Sequence, residues 1–167
     1  MQEIAPKDAL NRLSPLPCCF IISVSKNGKP SGMIASWVMQ TSFEPPLLTV
    51  SVGKSRHTFN LIKSSKEFVV AAPNKKMEKA LMIFGSKSGR DTDKFKEAKL
   101  KTAKAKLIKS PILIDATLNY ECKLVKSLET GDHVIFVGKV VAAHINAGKK
   151  VLMSMGRVNG KRVFQEF

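Results

Sequence analysis

The chain has 167 residues, of which 44% are hydrophobic, and a formal net charge of +15 at pH 7. This length and apolar content are typical of one compact globular domain and exclude a disordered chain. No stretch approaches the roughly 18 consecutive apolar residues of a membrane-spanning helix, and the first seven residues lack the layout of a signal peptide. We therefore expect a single domain over residues 1–167, a cytoplasmic location and no membrane partner.

The positive charge is concentrated between residues 75 and 109, which carry twelve lysines and arginines against four acids. Such an excess raises two hypotheses, a nucleic-acid partner or an anionic small ligand, beside the simpler one of a solvated basic face. Only Phe84 and Phe95 lie among these lysines to stack on bases. We therefore do not expect a nucleic-acid partner.

Cysteine and histidine positions argue against a metal site. Two of the three cysteines are adjacent, Cys18 and Cys19, and the third, Cys122, is distant, which fits neither a disulfide framework nor a zinc-ligand spacing. We expect buried, apolar thiols. The three histidines show no metal-ligand spacing either, and neither a Gly-x-Gly-x-x-Gly motif nor a Walker loop occurs.

The first third of the chain has the pattern of strands. Asn27-Gly28 tolerates the positive φ angles of a tight hairpin turn, and Pro45-Pro46 interrupts the apolar pattern. In chain order we predict an amphipathic start, with Ala9, Leu10 and Leu13 on one helical face, and then strands over residues 18–25, 32–41 and 47–52.

The middle of the chain predicts two helices around a strand. A helix is expected over 57–64, a strand over 68–72, and a second helix after Asn74, which is a plausible N-cap, with Gly85 as the left-handed residue past its end. Residues 85–111 have little periodicity and many lysines, so we predict a long surface excursion with short helical pieces at most.

The last third returns to strands. Residues 112–124 alternate between apolar and polar, which predicts one long half-buried strand, and 130–132 supply a turn. Residues 134–145 are nearly all apolar and predict a strand buried on both sides, with a last short strand over 161–164. Six or more strands joined by short turns predict a mostly β chain with α decoration, arranged as an antiparallel barrel.

Small hydroxyl-bearing and basic residues cluster near the predicted strand ends. Their side chains can hydrogen-bond the oxygens of a phosphate group. The candidates are Ser36, Thr41, Ser42, Ser55, Arg56, His57 and Thr58.

Four segments, in their order along the chain, carry a resemblance that the single residues do not. They are residues 32–42 followed by Pro45-Pro46, residues 53–58 at a helix start, residues 86–95 ending in Lys94-Phe95, and residues 131–140 opening with Gly-Asp-His. Together they resemble the flavin reductase-like family of FMN-binding split barrels, which includes flavoredoxins and archaeal ferric reductases. The resemblance covers nearly the whole chain and implies an antiparallel split β-barrel.

The resemblance also implies which residues bind FMN. Residues 35–42 would run along the isoalloxazine and ribityl chain, 55–58 would hold the phosphate at a helix N-terminus with Arg56 or Lys54, and the 86–95 loop would close over it. The cofactor-binding candidates are Ala35, Ser36, Trp37, Gln40, Thr41, Ser42, Ser55, Arg56, His57, Thr58, Lys87 and Ser88. Trp37 could instead be a core or interface aromatic, Ser55 an ordinary N-cap, and Lys87 and Ser88 parts of a solvated loop.

By the same resemblance, His133 lies near the flavin and the nicotinamide, as the catalytic candidate; the alternative is a turn histidine without a role. The implied function is an NAD(P)H-dependent FMN oxidoreductase, with NADH or NADPH as transient hydride donor and flavin, a ferric chelate or a partner protein as electron acceptor. A flavoredoxin-type electron carrier reduced by another protein is the alternative, and a basic nucleic-acid-binding barrel is the third. Proteins of this family commonly form dimers, so the resemblance also implies that this chain forms a homodimer.

Overall fold

The computed structural model describes residues 1–10 and 12–167, and it is mostly β with few helices, as predicted. The helices are α1 Pro6–Leu10, α2 His57–Ser65, α3 Glu78–Ser86, which a 3₁₀ turn at Lys75–Met77 precedes, and α4 Lys94–Glu97. The strands are β1 Leu16–Pro17, β2 Cys19–Val24, β3 Pro30–Ala35, β4 Val38–Ser42, β5 Leu47–Gly53, β6 Glu67–Ala72, β7 Thr102–Ala103, β8 Ile112–Leu113, β9 Leu118–Thr130, β10 His133–Ile145, β11 Leu152–Val158 and β12 Lys161–Glu166.

The main sheet is antiparallel throughout. Within the residues described it has seven strands in the order β3-β2-β6-β9-β10-β5-β4, so that its two edge strands are consecutive in the chain. Only Ser36 and Trp37 separate β3 from β4. No ladder joins these two edges in the described part of the chain, so the sheet is not closed and a barrel is not confirmed.

The single strand expected over 32–41 is therefore wrong. The chain bends at Ser36 and Trp37, and the amide of Ser51 in β5 donates to the Trp37 carbonyl at 3.0 Å. The apolar pattern continues through this bend without a proline or glycine, which is why the sequence did not mark it.

The main sheet has a hydrophobic core on each face, and the outer one covers only part of its face. The inner core lies inside the curl of the sheet and is built from side chains such as Ile21, Val50, Phe68, Val70, Cys122 and Phe136. The outer core lies on the opposite face of β2 and β6, beneath α3 and α4, and includes Phe20, Ile22, Val69, Leu81, Phe84 and Phe95.

The segment after α4 belongs to the outer core rather than to the surface alone. Ala105 and Ile108 are buried, and two carboxylates on the sheet bind the backbone of this segment. Glu121 accepts hydrogen bonds from the amides of Lys106 and Leu107, both at 2.7 Å, and Glu67 accepts from two further amides. The prediction of short helical pieces is confirmed by α4. The segment is not only a surface loop, however, because it packs on the outer core.

Several predictions of local structure are confirmed. Gly28 in the first hairpin has a φ of +76° and Gly131 in the turn between β9 and β10 has a φ of +60°. The Asn74 side chain accepts from the amide of Lys76, as expected of a cap. Gly85, however, lies inside α3 and is not a left-handed terminus; a Cβ there would lie 2.7 Å from Ile34 Cδ1, so glycine permits close packing of α3 on β3.

The C-terminal third differs from prediction in three ways. The long strand expected from residue 112 begins at Leu118. The Asn119 side chain accepts a hydrogen bond from the Leu113 amide and donates one to the Leu113 carbonyl, and these bonds hold the chain in a turn before the strand. β10 is buried only at alternate residues, so the expected burial on both sides is wrong for the single chain. β11 was not predicted; it pairs with β1 and β12 in a separate sheet, where β12 confirms the last expected strand.

The cysteines behave as expected. All three are free and buried, and burial raises the pKa of Cys18 to about 11 and that of Cys19 and Cys122 to about 12. Within residues 1–10 and 12–167, no helix is long and apolar enough to span a bilayer, and no group of three potential metal ligands occurs.

Gly138 in β10 generates a stability prediction. A Cβ added there would lie 2.6 Å from Phe68 Cζ and 2.8 Å from Cys122 Cβ, and both neighbours are fully buried. We expect Gly138→Ala to lower the free energy of unfolding by about 1–3 kcal/mol, measured by urea denaturation. The control Lys139→Ala, at the exposed next position, should stay within about 0.5 kcal/mol of wild type. Equal stability of the two variants would contradict this packing.

Candidate functional site

Two adjoining pockets lie at one rim of the main sheet. The basic pocket has a volume of about 210 Å³ and is lined by residues 55–58, residues 84–90, Lys94 and others. The aromatic pocket has a volume of about 260 Å³ and is lined by residues 35–37, Ser51, Gly53, His133 and others. Met33, Ile34, Arg56 and Arg162 line both, so the two pockets adjoin, and together they are called the trough.

The N-terminus of α2 faces the basic pocket without a side-chain cap. Arg56 occupies the N-cap position and makes no capping hydrogen bond, and Ser55 does not cap the helix. In the described part of the chain the amides of His57 and Thr58 have no acceptor. Unpaired amides at the positive end of a helix dipole form a binding site for an anion.

The loop between α3 and α4 closes one side of the basic pocket. At Gly89 an added Cβ would lie 2.0 Å from the Ser31 hydroxyl, so the loop backbone packs directly on β3. Arg90 donates a hydrogen bond to the Ser55 carbonyl at 3.3 Å, and its amide donates to the Ser88 hydroxyl at 3.2 Å. These contacts hold the loop against the start of α2.

Lys94 is a buried cation in the wall of the basic pocket. Its side chain donates to the carbonyls of Phe84 at 3.1 Å and Lys87 at 3.0 Å, and its residue is only 4% exposed. Burial, with a smaller contribution from Arg56, lowers the pKa of Lys94 to about 8. Burial and the charges of Arg90 and Lys94 also lower the pKa of His57, despite an opposing contribution from Asp91. The pocket is therefore short of negative charge.

The aromatic pocket is built around Trp37 and His133. Their ring centroids are 4.8 Å apart, and His133 Nδ1 lies 2.7 Å from the carboxylate of Asp132. This hydrogen bond, with the nearby charge of His133, lowers the pKa of Asp132. The ring of His133 and the side chain of Arg56 flank Gly53, where an added Cβ would lie 3.5 Å from His133 Nε2. Trp37 is 57% exposed, so it is not a core residue of the single chain.

Most of the residues selected from the sequence come together in this trough. Ala35, Ser36, Trp37 and His133 line the aromatic pocket, and Ser55, Arg56, His57, Thr58, Lys87 and Ser88 line the basic pocket. Lys87 also forms an ion pair with Glu97. Gln40, Thr41 and Ser42 lie further along β4, outside both pockets, and their assignment stays a prediction.

Three cations of the trough were not selected from the sequence. Arg90 and Lys94 belong to the 86–95 segment, and their position in a segment that carries the family resemblance could have identified them as candidates. Arg162 lies in β12, 68 residues beyond Lys94, the nearest of the other basic residues of the site in the sequence. No local pattern marked Arg162, because the strand that pairs with β12 was itself not predicted.

The fold is a curled antiparallel sheet with a basic pocket and an aromatic pocket at its rim. Such a protein is suited to a ligand that is aromatic at one end and anionic at the other. The chain belongs to the flavin reductase-like family: the family described as Flavin reductase like domain matches residues 12–160. An uncharacterised protein of Archaeoglobus fulgidus is 40% identical over 139 residues, which are 83% of this chain and 76% of that protein. This membership supports a flavin-related oxidoreductase with a flavin cofactor.

Other relatives are longer or are known by structure. The chain is 34% identical over 128 residues to a high molecular weight rubredoxin of Moorella thermoacetica, covering 75% of this chain but 55% of that one. A flavoredoxin of Methanosarcina acetivorans has a TM-score of 0.84 at 26% identity, over 100% of this chain and 91% of that one. An NADH:FAD oxidoreductase of Streptomyces globisporus has a TM-score of 0.85 at 24% identity, over 100% and 98%, and so shares the fold.

The residues of the trough fit a phosphorylated flavin. The two free amides at the α2 N-terminus and the cations around them suit a phosphate, and Trp37 offers a flat surface to a ring system, with the His133 ring beside it. Arg56 and Arg162 line both pockets, so each borders the phosphate end of the trough as well as the ring end.

Lys94 generates a prediction about pH. Below pH 8 this amino group is charged in both the native and unfolded states; above pH 8 the native state releases the proton, whereas the unfolded state keeps it to about pH 10.4. Since the unfolded state then binds more protons, this group adds stability as pH rises. We therefore expect wild type to gain stability relative to Lys94→Met as pH rises. The unfolding free energy of wild type minus that of Lys94→Met should become more positive by about 1–2 kcal/mol from pH 7.5 to 9.5, measured by urea denaturation.

The matched control for this experiment is Lys96→Met, on the exposed side of the same helix. Its difference from wild type should stay flat over the same range. A flat difference for Lys94→Met as well would contradict the burial of a charged amine in this wall.

Proposed function

We propose that this protein is an FMN-binding oxidoreductase that accepts hydride from NADH or NADPH and passes electrons to flavin, a ferric chelate or a partner protein. The observation that carries the proposal is that two adjoining pockets bring an uncapped helix N-terminus close to the Trp37–His133 pair. The family membership of residues 12–160 supports it.

In this proposal each part of the trough has one task. Ser55, Arg56, His57 and Thr58 bind the phosphate, and Lys87 and Ser88 approach it from the loop. Ala35 and Ser36 contact polar atoms of the ring, and Trp37 flanks it. The roles assigned to Gln40, Thr41 and Ser42 rest on the family resemblance alone.

When bound, FMN supplies the hydride and electron transfer, so that no protein nucleophile is needed. The chain's own groups bind, orient and exclude water. Asp132 accepts a hydrogen bond from His133 Nδ1–H, which leaves Nε2 of His133 facing the pocket beside Gly53. We assign His133 the orientation of the nicotinamide and the movement of a proton at Nε2.

The second candidate is a flavoredoxin-type electron carrier, in which another protein reduces the FMN. The likeness to the flavoredoxin of Methanosarcina acetivorans at 26% identity favours it, whereas the fold shared with the NADH:FAD oxidoreductase is consistent with the reductase. The two candidates differ only in the source of the electrons.

We also propose that the curled sheet is the split barrel of this family and that the chain is a single domain. Support for the barrel comes from the two-residue link between the edge strands, and support for one domain from the match over 149 of 167 residues, 12–160. The cytoplasmic location stays a prediction.

A homodimer is the assembly that we propose. The outer face of the β4-β5-β10-β9 part of the sheet carries Trp37, Met39, Leu128, Ile135 and Val137 in two neighbouring rows. Met39 is 63% exposed and Leu128 is 55% exposed, and no other segment covers this apolar face within the residues described. Since Trp37 belongs to both this face and the aromatic pocket, a second copy on the face would also shield the pocket from water.

Flavin binding and reduction test the function. We expect the protein to bind FMN on titration, followed by flavin fluorescence, and the bound FMN to lose its colour when NADH or NADPH is added without oxygen. His133→Ala should slow this reduction at least about 10-fold and change the Kd for FMN less than 3-fold. Glu129→Ala, at the same hairpin tip, should leave both unchanged.

A stable yellow protein that neither nucleotide reduces would support the carrier and contradict the reductase. Absence of FMN binding would contradict both.

The apolar outer face generates a prediction about assembly. Met39→Glu or Leu128→Glu places a charge in the proposed contact at an exposed position, so we expect the dimer to weaken at least about 10-fold while the monomer keeps its fold. Sedimentation velocity over a range of concentrations measures this. Val158→Glu, exposed in the C-terminal hairpin, is the control and should not affect the dimer. A monomeric wild type, or variants as dimeric as wild type, would contradict the proposed face.

A further inference from the structure

Arg162 is the contribution of the C-terminal hairpin, β11 and β12, to the trough. The hairpin belongs to the separate β1-β11-β12 sheet, and it packs on the main sheet through Leu152 and Phe164 in the outer core. Arg162 lies in β12 and lines both the basic and the aromatic pocket. One guanidinium from a distant part of the chain therefore reaches the middle of the proposed cofactor site.

The guanidinium of Arg162 has hydrogen bonds left to make. Its residue is half-buried, and among the residues that the structure describes it has neither a carboxylate partner nor a hydrogen-bond acceptor. A guanidinium carries five N–H donors, and removing them from water is costly unless an acceptor replaces it. Its planar fork matches two oxygens of a phosphate.

The other cations of the basic pocket are already engaged. Lys87 is paired with Glu97, Lys94 donates to two carbonyls, and Arg90 donates to the Ser55 carbonyl. Arg56, at the N-cap of α2, resembles Arg162: it lines both pockets, and in the described part of the chain it has no acceptor for its side chain. The two guanidinium groups with unused donors thus come from different elements and meet the same stretch of the trough.

The backbone around Arg162 leaves room for this arrangement. An added Cβ at Gly85 would lie 4.0 Å from Arg162 Nη1 and 2.7 Å from the Ile34 side chain, so the end of α3 packs closely beside the guanidinium without filling its place. The charge of Arg162 also reaches the buried thiol of Cys18, where it partly offsets the effect of burial on that pKa. Arg162 therefore lies on the side of the hairpin that faces α3 and Cys18.

We propose that Arg162 and Arg56 form a two-armed clamp on the phosphoryl group of the ligand, and that Arg162 makes the site select a phosphorylated flavin over an unphosphorylated one. This inference rests on the proposed function, since it assumes a flavin in the trough, and it adds a phosphate-binding residue from outside the 53–58 and 86–95 segments. A ligand held by both arginines would connect the C-terminal hairpin, which carries Arg162, to the start of α2, which carries Arg56.

The test compares two flavins that differ only in the phosphate. FMN and riboflavin are titrated separately into wild type, Arg162→Gln and Arg157→Gln, and the Kd is measured by flavin fluorescence. Arg157 is the matched control, because it pairs with Arg162 across the same hairpin but is exposed and donates to the Gly160 carbonyl at 2.7 Å.

We expect Arg162→Gln to weaken FMN about 10- to 100-fold and riboflavin less than about 3-fold, because only FMN carries the group that the clamp binds. Arg157→Gln should change neither Kd more than about 3-fold. Arg162→Lys keeps the charge and loses the fork, and we expect it to lie between wild type and Arg162→Gln for FMN alone. Melting curves without flavin establish that each variant is folded.

Three results would overturn the inference. An equal loss of FMN and riboflavin would assign Arg162 to the ring or to the integrity of the hairpin, and an unchanged FMN affinity would remove it from the site. If Arg162→Gln does not fold, Arg162→Lys decides by the same comparison. Wild type that binds neither flavin would overturn the proposed function together with the clamp, whereas the first two results leave flavin binding by wild type intact.

Discussion

The two-residue link between the edge strands of the main sheet is the constraint on which the rest of the molecule depends. A flat sheet with the seven strands described would separate β3 from β4 by six strand spacings, roughly 29 Å. The chain between Ala35 and Val38 makes three Cα steps and spans at most about 11 Å. The sheet must therefore curl until its two edges approach each other, with the inner core inside the curl.

The curl also creates the site. It turns the bend at Ser36 and Trp37 against the end of β5, where the Ser51 amide binds the Trp37 carbonyl. The same end of β5 leads into α2, so an uncapped helix N-terminus follows within a few residues of the aromatic pocket. Two features suited to the two ends of one ligand are thus neighbours because the sheet edges are neighbours.

Curling inward leaves the opposite face of β2 and β6 to be covered by other segments. Helices α3 and α4, the segment after them and the C-terminal hairpin cover it, and their rims supply Arg90, Lys94 and Arg162 to the basic pocket. Burial of the Lys94 amino group, with a smaller contribution from the charge of Arg56, costs stability, as the lowered pKa of Lys94 indicates. A dianionic ligand would offset part of that cost, and its binding would then be coupled to folding through these charges.

Local chemistry made much of the fold predictable from sequence. The Asn27-Gly28 hairpin, the Asn74 cap and the Gly131 turn each depend on one or two residues with a strong backbone preference, and each is confirmed. Residues 35–37, 55–58 and 87–88, which line the trough, were selected because the resemblance lies in contiguous segments.

The features that sequence did not predict depend on contacts between distant segments. The break at Ser36 arises because the sheet curls. The role of Gly85 arises from the close approach of Ile34 to α3. Arg162 lies in the trough because the C-terminal hairpin packs on the outer face of the sheet. The apolar outer residues of β10 were expected to be fully buried, and in the single chain Ile135 and Val137 are only half-buried. Periodicity along one strand cannot tell whether the second face is covered by the same chain or by another.

In the proposed function, the trough holds a phosphorylated flavin with its phosphate at the start of α2. A crystal structure of the protein grown with FMN measures this directly. We expect the phosphate oxygens within hydrogen-bonding distance of the His57 and Thr58 amides, with the isoalloxazine ring beside Trp37 and His133. Density for FMN at any other place on the molecule, with this trough filled only by solvent, would contradict it.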